Sequence, residues 1–355
     1  MYRGWKNISL IENKSTAPKT TVSIIIAVRN EEDNIARTLD CLIKQDYPEK
    51  LREVIVVDDH STDNTAAIVR SYAKRGISLI QLNEKEPLNS YKKLAISTAI
   101  QRARGDVIVT TDGDCRMGKH WLSTIMSFFA SEECYMLSSP VLYSEEKSFF
   151  EKLQTLEFLY LIGLGASGIG NKKPTTCNGA NLAYRKDVFY EMEGFKGIDE
   201  LASGDDELLL HKVAVQNADK IYFCKSMDAA VYTDAKPTLS SFLNQRRRWA
   251  SKSTKYKDKK VVALGVSIWF FNLCFVLVLF LLPFLNSGLL YTFLACLFGK
   301  LMIELLFVYS LTDFTGYNKY LPYLFILTFV HPFYLVGIGL LGNIGKYNWK
   351  GRMVR

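Results

Sequence analysis

A chain of 355 residues, 48% hydrophobic and 23% charged, has material for a core and length for about two domains. That composition excludes a wholly disordered chain, a collagen-like repeat and a disulfide scaffold, and the seven scattered cysteines, with no Cys-x-x-Cys, read as reduced thiols. The formal charge of +8 is concentrated: residues 236–260 hold nine basic side chains against Asp258, directly before residues 261–345, whose charged side chains are Lys300, Glu304, Asp313 and Lys319. This pattern implies a soluble domain followed by membrane, with the basic stretch on anionic lipid and no nucleic acid as partner.

Residues 1–20 are a polar lead-in without the apolar segment of a signal peptide. TVSIIIAV (21–28) predicts a buried strand, then a helix whose face carries Ile35, Leu39, Leu42 and Ile43, with Asn30 as the expected N-cap and Glu31, Glu32 and Asp33 in its first turn. EVIVVDD (53–59) predicts a second strand, with Ser61 or Thr62 capping the next helix. SLIQLN (78–83) predicts a third, before a helix over 90–102, and DVIVTTDGD (106–114) a fourth. Continuous apolar strands alternating with amphipathic helices predict an α/β fold with a mostly parallel sheet covered on both faces. A strand over 135–143, a helix over 145–164, a strand over 177–185 and a helix over 204–218 complete a domain spanning 21–235.

Residues 236–260 read as a basic interfacial segment and 261–342 as about three transmembrane helices (261–285, 289–310 and 321–341), each near the ~20 residues that cross ~30 Å of hydrocarbon. Three crossings would put the basic tail, 343–355, on the side away from the globular domain, against the positive-inside tendency. A re-entrant or interfacial segment among the three is the other reading.

Polar clusters fall at the carboxyl ends of the predicted strands: Arg29-Asn30-Glu31, Asp58-Asp59 and Asp112-Gly113-Asp114. In an open α/β sheet that edge binds ligands. Asp112 and Asp114 can face a hard divalent cation or form an ordinary Asp-Gly turn. Of Asp58 and Asp59 only one can cap the next helix, which leaves the other for a base or ribose, while His60 reads as a solvated loop residue. Gly204-Asp205-Asp206-Glu207 is either a dipole-stabilised first turn or a general base whose pKa clustered like charges raise. Gln245-Arg246-Arg247-Arg248-Trp249 suits both an interfacial anchor and a phosphate clamp with a ring to stack on sugar. Gly163-x-Gly165-x-x-Gly168 follows a helix, not a strand, so it predicts a flexible loop near the bilayer rather than a dinucleotide turn. Lys300 and Glu304, four apart, either neutralise one another or meet a lipid headgroup.

VSIIIAVRNEE (22–32), VVDDHSTD (56–63), YKKLAI (91–96), TTDGD (110–114), CNGANLAYRK (177–186), GDDELL (204–209) and QRRRW (245–249), taken in this order, resemble glycosyltransferase family 2 over residues 20–250. The last two motifs, with membrane helices after them, are similar to the branch containing cellulose synthase, hyaluronan synthase and ceramide glucosyltransferase. The resemblance implies a nucleotide-diphospho-sugar transferase (GT-A type) fold with a mostly parallel central sheet, followed by C-terminal transmembrane helices. It also implies an inverting, metal-dependent glycosyltransferase on the cytoplasmic side of the cell membrane. Such an enzyme moves a sugar from a nucleotide-diphosphate donor, expected to be a UDP-sugar, to a lipid-linked or glycan acceptor.

By the same resemblance Asp59 contacts the uracil, Asn30 and Glu31 line the nucleotide pocket, and Lys92 approaches the diphosphate. Asp112 and Asp114 serve the ribose and a Mg2+ or Mn2+ ion, Asp114 foremost, and Asp206 is the catalytic base. Gln245, Arg248 and Trp249 frame diphosphate and acceptor together with Asp205, and Asn178, Gly179 and Asn181 line the acceptor pocket. Tyr91 stands where a glycine often precedes the diphosphate lysine, which leaves Lys92 and Lys93 both open for that role. Asp205 stands where glutamate is common. A processive polysaccharide synthase subunit and a catalytically silent scaffold subunit are the alternatives. Three short spans favour the lipid-linked acceptor, and the intact Asp114 and Asp206 count against silence.

Overall fold

β-Branched residues make the centre of the molecule. In the computed structural model, which describes residues 1–10, 19–84, 88–130, 133–201, 203–252, 256, 259–284, 286–342, 347–350 and 352–354, strand β1 (Val22–Val28) follows a short helix α1 (Tyr2–Lys6). Ile24 and Ile26 of β1 pack into one core and Ile25 into another on the opposite face, the period-2 alternation of a strand covered on both sides. Helices α2 (Ile35–Ile43), α3 (Thr65–Ser71), α4 (Tyr91–Arg102) and α5 (Trp121–Phe128) alternate with β2 (Arg52–Asp58), β3 (Ile77–Gln81), β4 (Val107–Asp112) and the short β5 (Arg116–Met117).

Chain order then gives β6 (Met136–Ser138), β7 (Val141–Tyr143), α6 (Phe149–Gly170), β8 (Leu182–Arg185), α7 (Lys186–Glu191), α8 (Glu207–Asn217), β9 (Ile221–Phe223) and β10 (Val231–Thr233). The seven-stranded sheet runs β3-β2-β1-β4-β8-β6-β9, parallel from β3 to β4, with β8 antiparallel to both neighbours; β5, β10 and β7 form a small second sheet. The order reverses between β1 and β4, and a ligand crevice opens at that switch point.

Local differences from the sequence reading have physical causes. The strand expected over 135–143 breaks at Pro140, which has no N–H to give a ladder, and its halves join different sheets. The strand expected over 177–185 begins only at Leu182, because the Asn178 side chain accepts the Ala180 N–H and closes a 3₁₀ turn over Gly179–Asn181. The glycines expected in a flexible loop lie inside α6, where missing side chains let neighbours approach: a Cβ on Gly165 would sit 2.8 Å from the Thr176 carbonyl oxygen, and one on Gly168 2.9 Å from that of Lys173. Neither Asn30 nor Ser61 or Thr62 is a cap. α2 and α3 start after Asn34 and Asn64, while Asn30 Oδ1 accepts the Thr62 N–H and Ser61 Oγ accepts the Asn30 N–H, stitching the β1 and β2 loops together.

After α9 (Leu239–Ala250) come α10 (Lys259–Leu281), α11 (Ser287–Thr315) and α12 (Tyr323–Leu341), three helices long and apolar enough to cross a membrane by length and composition. α6 is the docking platform for α11 and α12, while α10 packs on α12, where Trp269 Nε1 donates to the Val336 carbonyl at 3.2 Å. Leu311 of α11 fills the space over Gly163, and Phe307 meets Tyr160 edge-on. α12 runs along the soluble domain from end to end. Tyr323 packs on Phe149, Tyr334 on Phe242, and the Leu341 carbonyl accepts Arg247 Nε at 3.1 Å. Lys300 pairs with Glu304 at 2.7 Å, with Thr328 Oγ1 3.5 Å away. The chain ends in a hairpin of β11 (Tyr347–Trp349) and β12 (Arg352–Val354).

Candidate active site

The crevice at the switch point is a cavity of about 630 Å³, and Glu31, Asp59, Lys92, Asp112, Asp114, Asp205, Asp206, Gln245, Arg248 and Trp249 all line it. Three acidic clusters distant in the chain thus face one space. Asp112 ends β4, and Lys92, in the first turn of α4, donates to it at 2.9 Å while standing 3.4 Å from Asp205. Burial pushes the Asp112 carboxyl up, but the adjacent Lys92 ammonium outweighs it and holds the group below the usual range. Lys93 faces the other way, buried, with its ammonium on the Leu201 and Ser203 carbonyls. Of the two lysines, Lys92 is the one in the cavity.

Asp114 has the opposite electrostatics. Burial raises its pKa, and Asp112 and Glu31 add like-charge repulsion. Donor atoms of Asp112, Asp114 and Cys115 lie within 4.8 Å of one another. Two carboxylates on one turn, one of them destabilised by negative neighbours, fit a hard divalent cation, which would relieve that repulsion. Burial keeps the Cys115 thiol protonated, so the oxygens are the suitable donors. The turn itself is fixed by Thr38 Oγ1, which donates to the Gly113 carbonyl at 2.8 Å.

Asp206 caps α8. Its Oδ1 accepts the Glu207 N–H at 2.7 Å and its Oδ2 the Gly179 N–H at 2.9 Å. The sequence reading expected clustered acids to raise its pKa, but the structure gives the reverse. Burial does push the carboxyl up, yet Lys252, then Lys92, then the two N–H groups hold it down to about 2. The cluster is acidic in sequence only; in space it carries two ammonium groups.

Four of the five residues of the Gln245–Trp249 motif line the cavity, Arg246 among them from a buried position. Arg246 is buried against Glu157 of α6 and stacks on Trp249 and Phe242, 4.2 and 4.6 Å from the ring centroids. Arg248 and Gln245 line the cavity, and Gln245 Oε1 accepts Arg246 Nη1 at 2.7 Å. Asn178 and Gly179 line it too. Asn181 does not: fully buried, it donates to the Pro140 and Ala229 carbonyls and accepts the Trp121 indole N–H, a joint between the two sheets. Asn30 also lies outside, in the loop stitch described above. His60 is not freely solvated: Nδ1 lies 3.0 Å from Asp59 Oδ1 and the ring meets Tyr91 edge-on.

The sequence reading missed the tail. Arg352 Nη1 donates to both Asp59 oxygens, at 2.8 and 2.7 Å, and its guanidinium lies 3.6 Å from the centroid of the Tyr91 ring. Lys350 donates to the Arg29 carbonyl at 2.5 Å and pairs with Glu31. The one signal was charge, a basic tail opposite acids some 293 positions earlier. If Asp59 holds a nucleobase, as the family resemblance implies, this guanidinium competes with it for the same carboxylate. Arg352→Ala should therefore tighten UDP binding by about tenfold, the scale of one charge-assisted hydrogen-bonded contact. Calorimetric titration of detergent-solubilised protein measures it, and weaker binding would mean the tail completes the pocket instead of competing for it.

A switch-point cavity ringed by strand-end carboxylates, with a lysine facing them, defines a GT-A-type transferase domain. Residues 23–192 match the sequence model of glycosyl transferase family 2, so this part of the chain is a family 2 glycosyltransferase domain. The chain is 39% identical over 101 residues to glycosyltransferase AglE of Haloferax volcanii, covering 28% of this chain and 33% of that protein. It is 26% identical over 308 residues to the probable glycosyltransferase YdaM of Bacillus subtilis, covering 84% and 68%. It thus spans a third of the length of the first relative and about two thirds of the second. In fold it is similar to a solved mannosyltransferase, PcManGT from Pyrobaculum calidifontis in complex with GDP-Man and Mn2+, with a TM-score of 0.61 and 18% identity over 92% of each chain.

Proposed function

We propose that the chain is an inverting, metal-dependent glycosyltransferase that moves a sugar from a nucleotide-diphosphate donor, a UDP-sugar first, to a hydroxyl of a lipid-linked acceptor at the cytoplasmic membrane face. The shared cavity carries this reading. Its lining joins charged groups, Asp59, Asp114, Lys92 and Asp206, to apolar ones, Leu161 and Ile162 of α6, Trp249 of α9, and Leu335 and Ile338 of α12. The charged groups suit the diphosphate, and the apolar ones, drawn in part from a membrane-type helix, suit an acceptor carried on lipid.

In a single in-line displacement the bond from acceptor oxygen to anomeric carbon forms as the bond from that carbon to the diphosphate oxygen breaks. The acceptor proton passes to Asp206, while Lys92 and Arg248 meet the charge on the departing diphosphate. A Mg2+ or Mn2+ ion held by Asp114 and Asp112 would neutralise phosphate charge there; GDP-Man and Mn2+ in the solved fold neighbour are in keeping with this. Membranes containing the chain, given labelled UDP-, GDP- and dTDP-sugars with Mn2+, should put label into a small solvent-extractable lipid. Label in a high-molecular-weight polymer, or none from any donor, overturns the reading.

The contacts of α12 and of the tail also support a reading of the membrane arrangement. Our reading has α10 and α11 crossing the bilayer while α12 lies in its cytoplasmic interface, so the tail returns to the side of the catalytic domain. Two observations support it: both ends of α12 rest on the soluble domain, and Lys350 and Arg352 touch Glu31 and Asp59. An even number of crossings also keeps the basic tail inside, as the positive-inside tendency requires. A C-terminal reporter fusion should be cytoplasmic, and an external reporter would refute this topology.

A further inference from the structure

We propose that Lys252, just beyond the Gln245–Trp249 motif, is a positioning residue that anchors the Asp206 carboxylate in its ionised, acceptor-facing state; this rests on Asp206 being the base. Lys252 Nζ lies 2.7 Å from Glu207 Oε2 and 3.5 Å from Asp206 Oδ1, and it lines the catalytic cavity with its side chain only 11% exposed. Its stem runs past Gly204, where an added Cβ would stand 3.2 Å from Lys252 Cδ. Glu207 is itself buried and also hydrogen-bonded to Tyr256. The ammonium is therefore fastened on the side of the base.

Lys92 is fastened on the donor side, by Asp112 and Asp205. The two lysines thus divide the cavity: one faces the diphosphate, the other the group that accepts the proton. The groups around Asp206 are Lys252 after α9, Lys92 of α4, Asp112 of β4, Asp205 and Glu207 around the start of α8, Cys177 before the 3₁₀ turn, and Tyr256, with Lys93 of α4 near enough to act by charge although its ammonium is held on the Leu201 and Ser203 carbonyls. A carboxylate this deep in protein takes up a proton unless a cation is held beside it, and a protonated carboxyl cannot act as base. The Gly179 and Glu207 N–H groups aim the carboxylate, and Lys252 supplies a charge that does not leave with the product.

The test is Lys252→Met in the full-length, membrane-embedded chain, with kcat and donor KM followed from about pH 4 to about pH 9. Ionisation of Asp206 near 2 leaves the wild type without an acidic limb from this group in that range. The variant should acquire one, losing about tenfold in kcat per pH unit on its acid side and recovering towards the alkaline end, with donor KM unchanged. Lys252→Arg, which keeps the charge, should keep the flat profile. Equal loss at every pH, a donor KM raised about tenfold, or an acidic limb in the Arg variant overturns the proposal. Lys252→Gln serves the same readout if the Met variant does not accumulate. Failure of the parent reading looks different: Asp206→Asn would then turn over normally.

Discussion

Replacing Asp206 with Asn should lower kcat by about 10²–10⁴-fold, the range for loss of a positioned general base, while leaving UDP affinity within about a factor of two. The selectivity follows from geometry. Asp206 contacts the Gly179 and Glu207 N–H groups and the Lys252 ammonium, whereas the pocket ascribed to the nucleotide is built around Asp59, Glu31 and Lys92. Asn is nearly isosteric, but its amide can accept only one of the two backbone N–H groups and cannot take a proton. Single-turnover transfer and UDP titration on the same preparation separate the two effects. Normal transfer would remove Asp206 from the role of base, and lost UDP binding would place it on the donor side.

The second large effect concerns Asp114. Chelation should abolish transfer and Mn2+ restore it, and Asp114→Asn should raise the Mn2+ needed for half-maximal rate by about 10–100-fold. A stability signature goes with it. The Asp114 pKa is raised in the folded protein by burial and by Asp112 and Glu31. A group with a raised folded pKa stabilises the fold below its unfolded pKa, and that contribution disappears as pH climbs through the folded value. As pH rises through that window, then, the Asp114 carboxyl costs the metal-free protein stability, and Asn removes that cost. Thermal unfolding should show the metal-free variant melting above metal-free wild type, with the order reversed by Mn2+. Identical melting with and without Mn2+ in the wild type would rule out a cation at these carboxylates.

These two carboxylates share a cavity yet have opposite electrostatics, and only the placement of lysines explains why. Lys92 and Lys252 act on Asp206 strongly enough to overcome its burial, while at Asp114 burial, Asp112 and Glu31 outweigh Lys236 and Lys350. An acid paired with fixed cations stays ionised and ready to accept a proton. An acid repelled by its neighbours is ready for a metal.

Much of the fold was legible in the sequence because it rests on short-range pattern. The apolar runs at 22–28, 52–58 and 107–112 form strands at those places, and the strand-end clusters Asp58-Asp59 and Asp112-Gly113-Asp114 reach the switch-point edge because strand direction puts them there. Local pattern misled where a distant partner decides the outcome. Gly163, Gly165 and Gly168 suggested a loop by composition, but they lie in a helix on which Leu311, Thr176 and Lys173 pack closely. Asn181 sits inside a motif of candidate site residues, yet Trp121, Pro140 and Ala229 claim its whole side chain.

By itself the sequence determined a parallel α/β sheet with its acids on one edge, ahead of membrane-type helices, since periodicity, strand direction and charge are properties of neighbours along the chain. Tertiary structure alone decided that Arg352 lies on Asp59, that Lys252 lies beside Asp206, and that α12 lies along the domain from end to end. These contacts join residues from 46 to 293 positions apart, and Coulomb attraction and packing act on distance in space, which the order of residues does not contain.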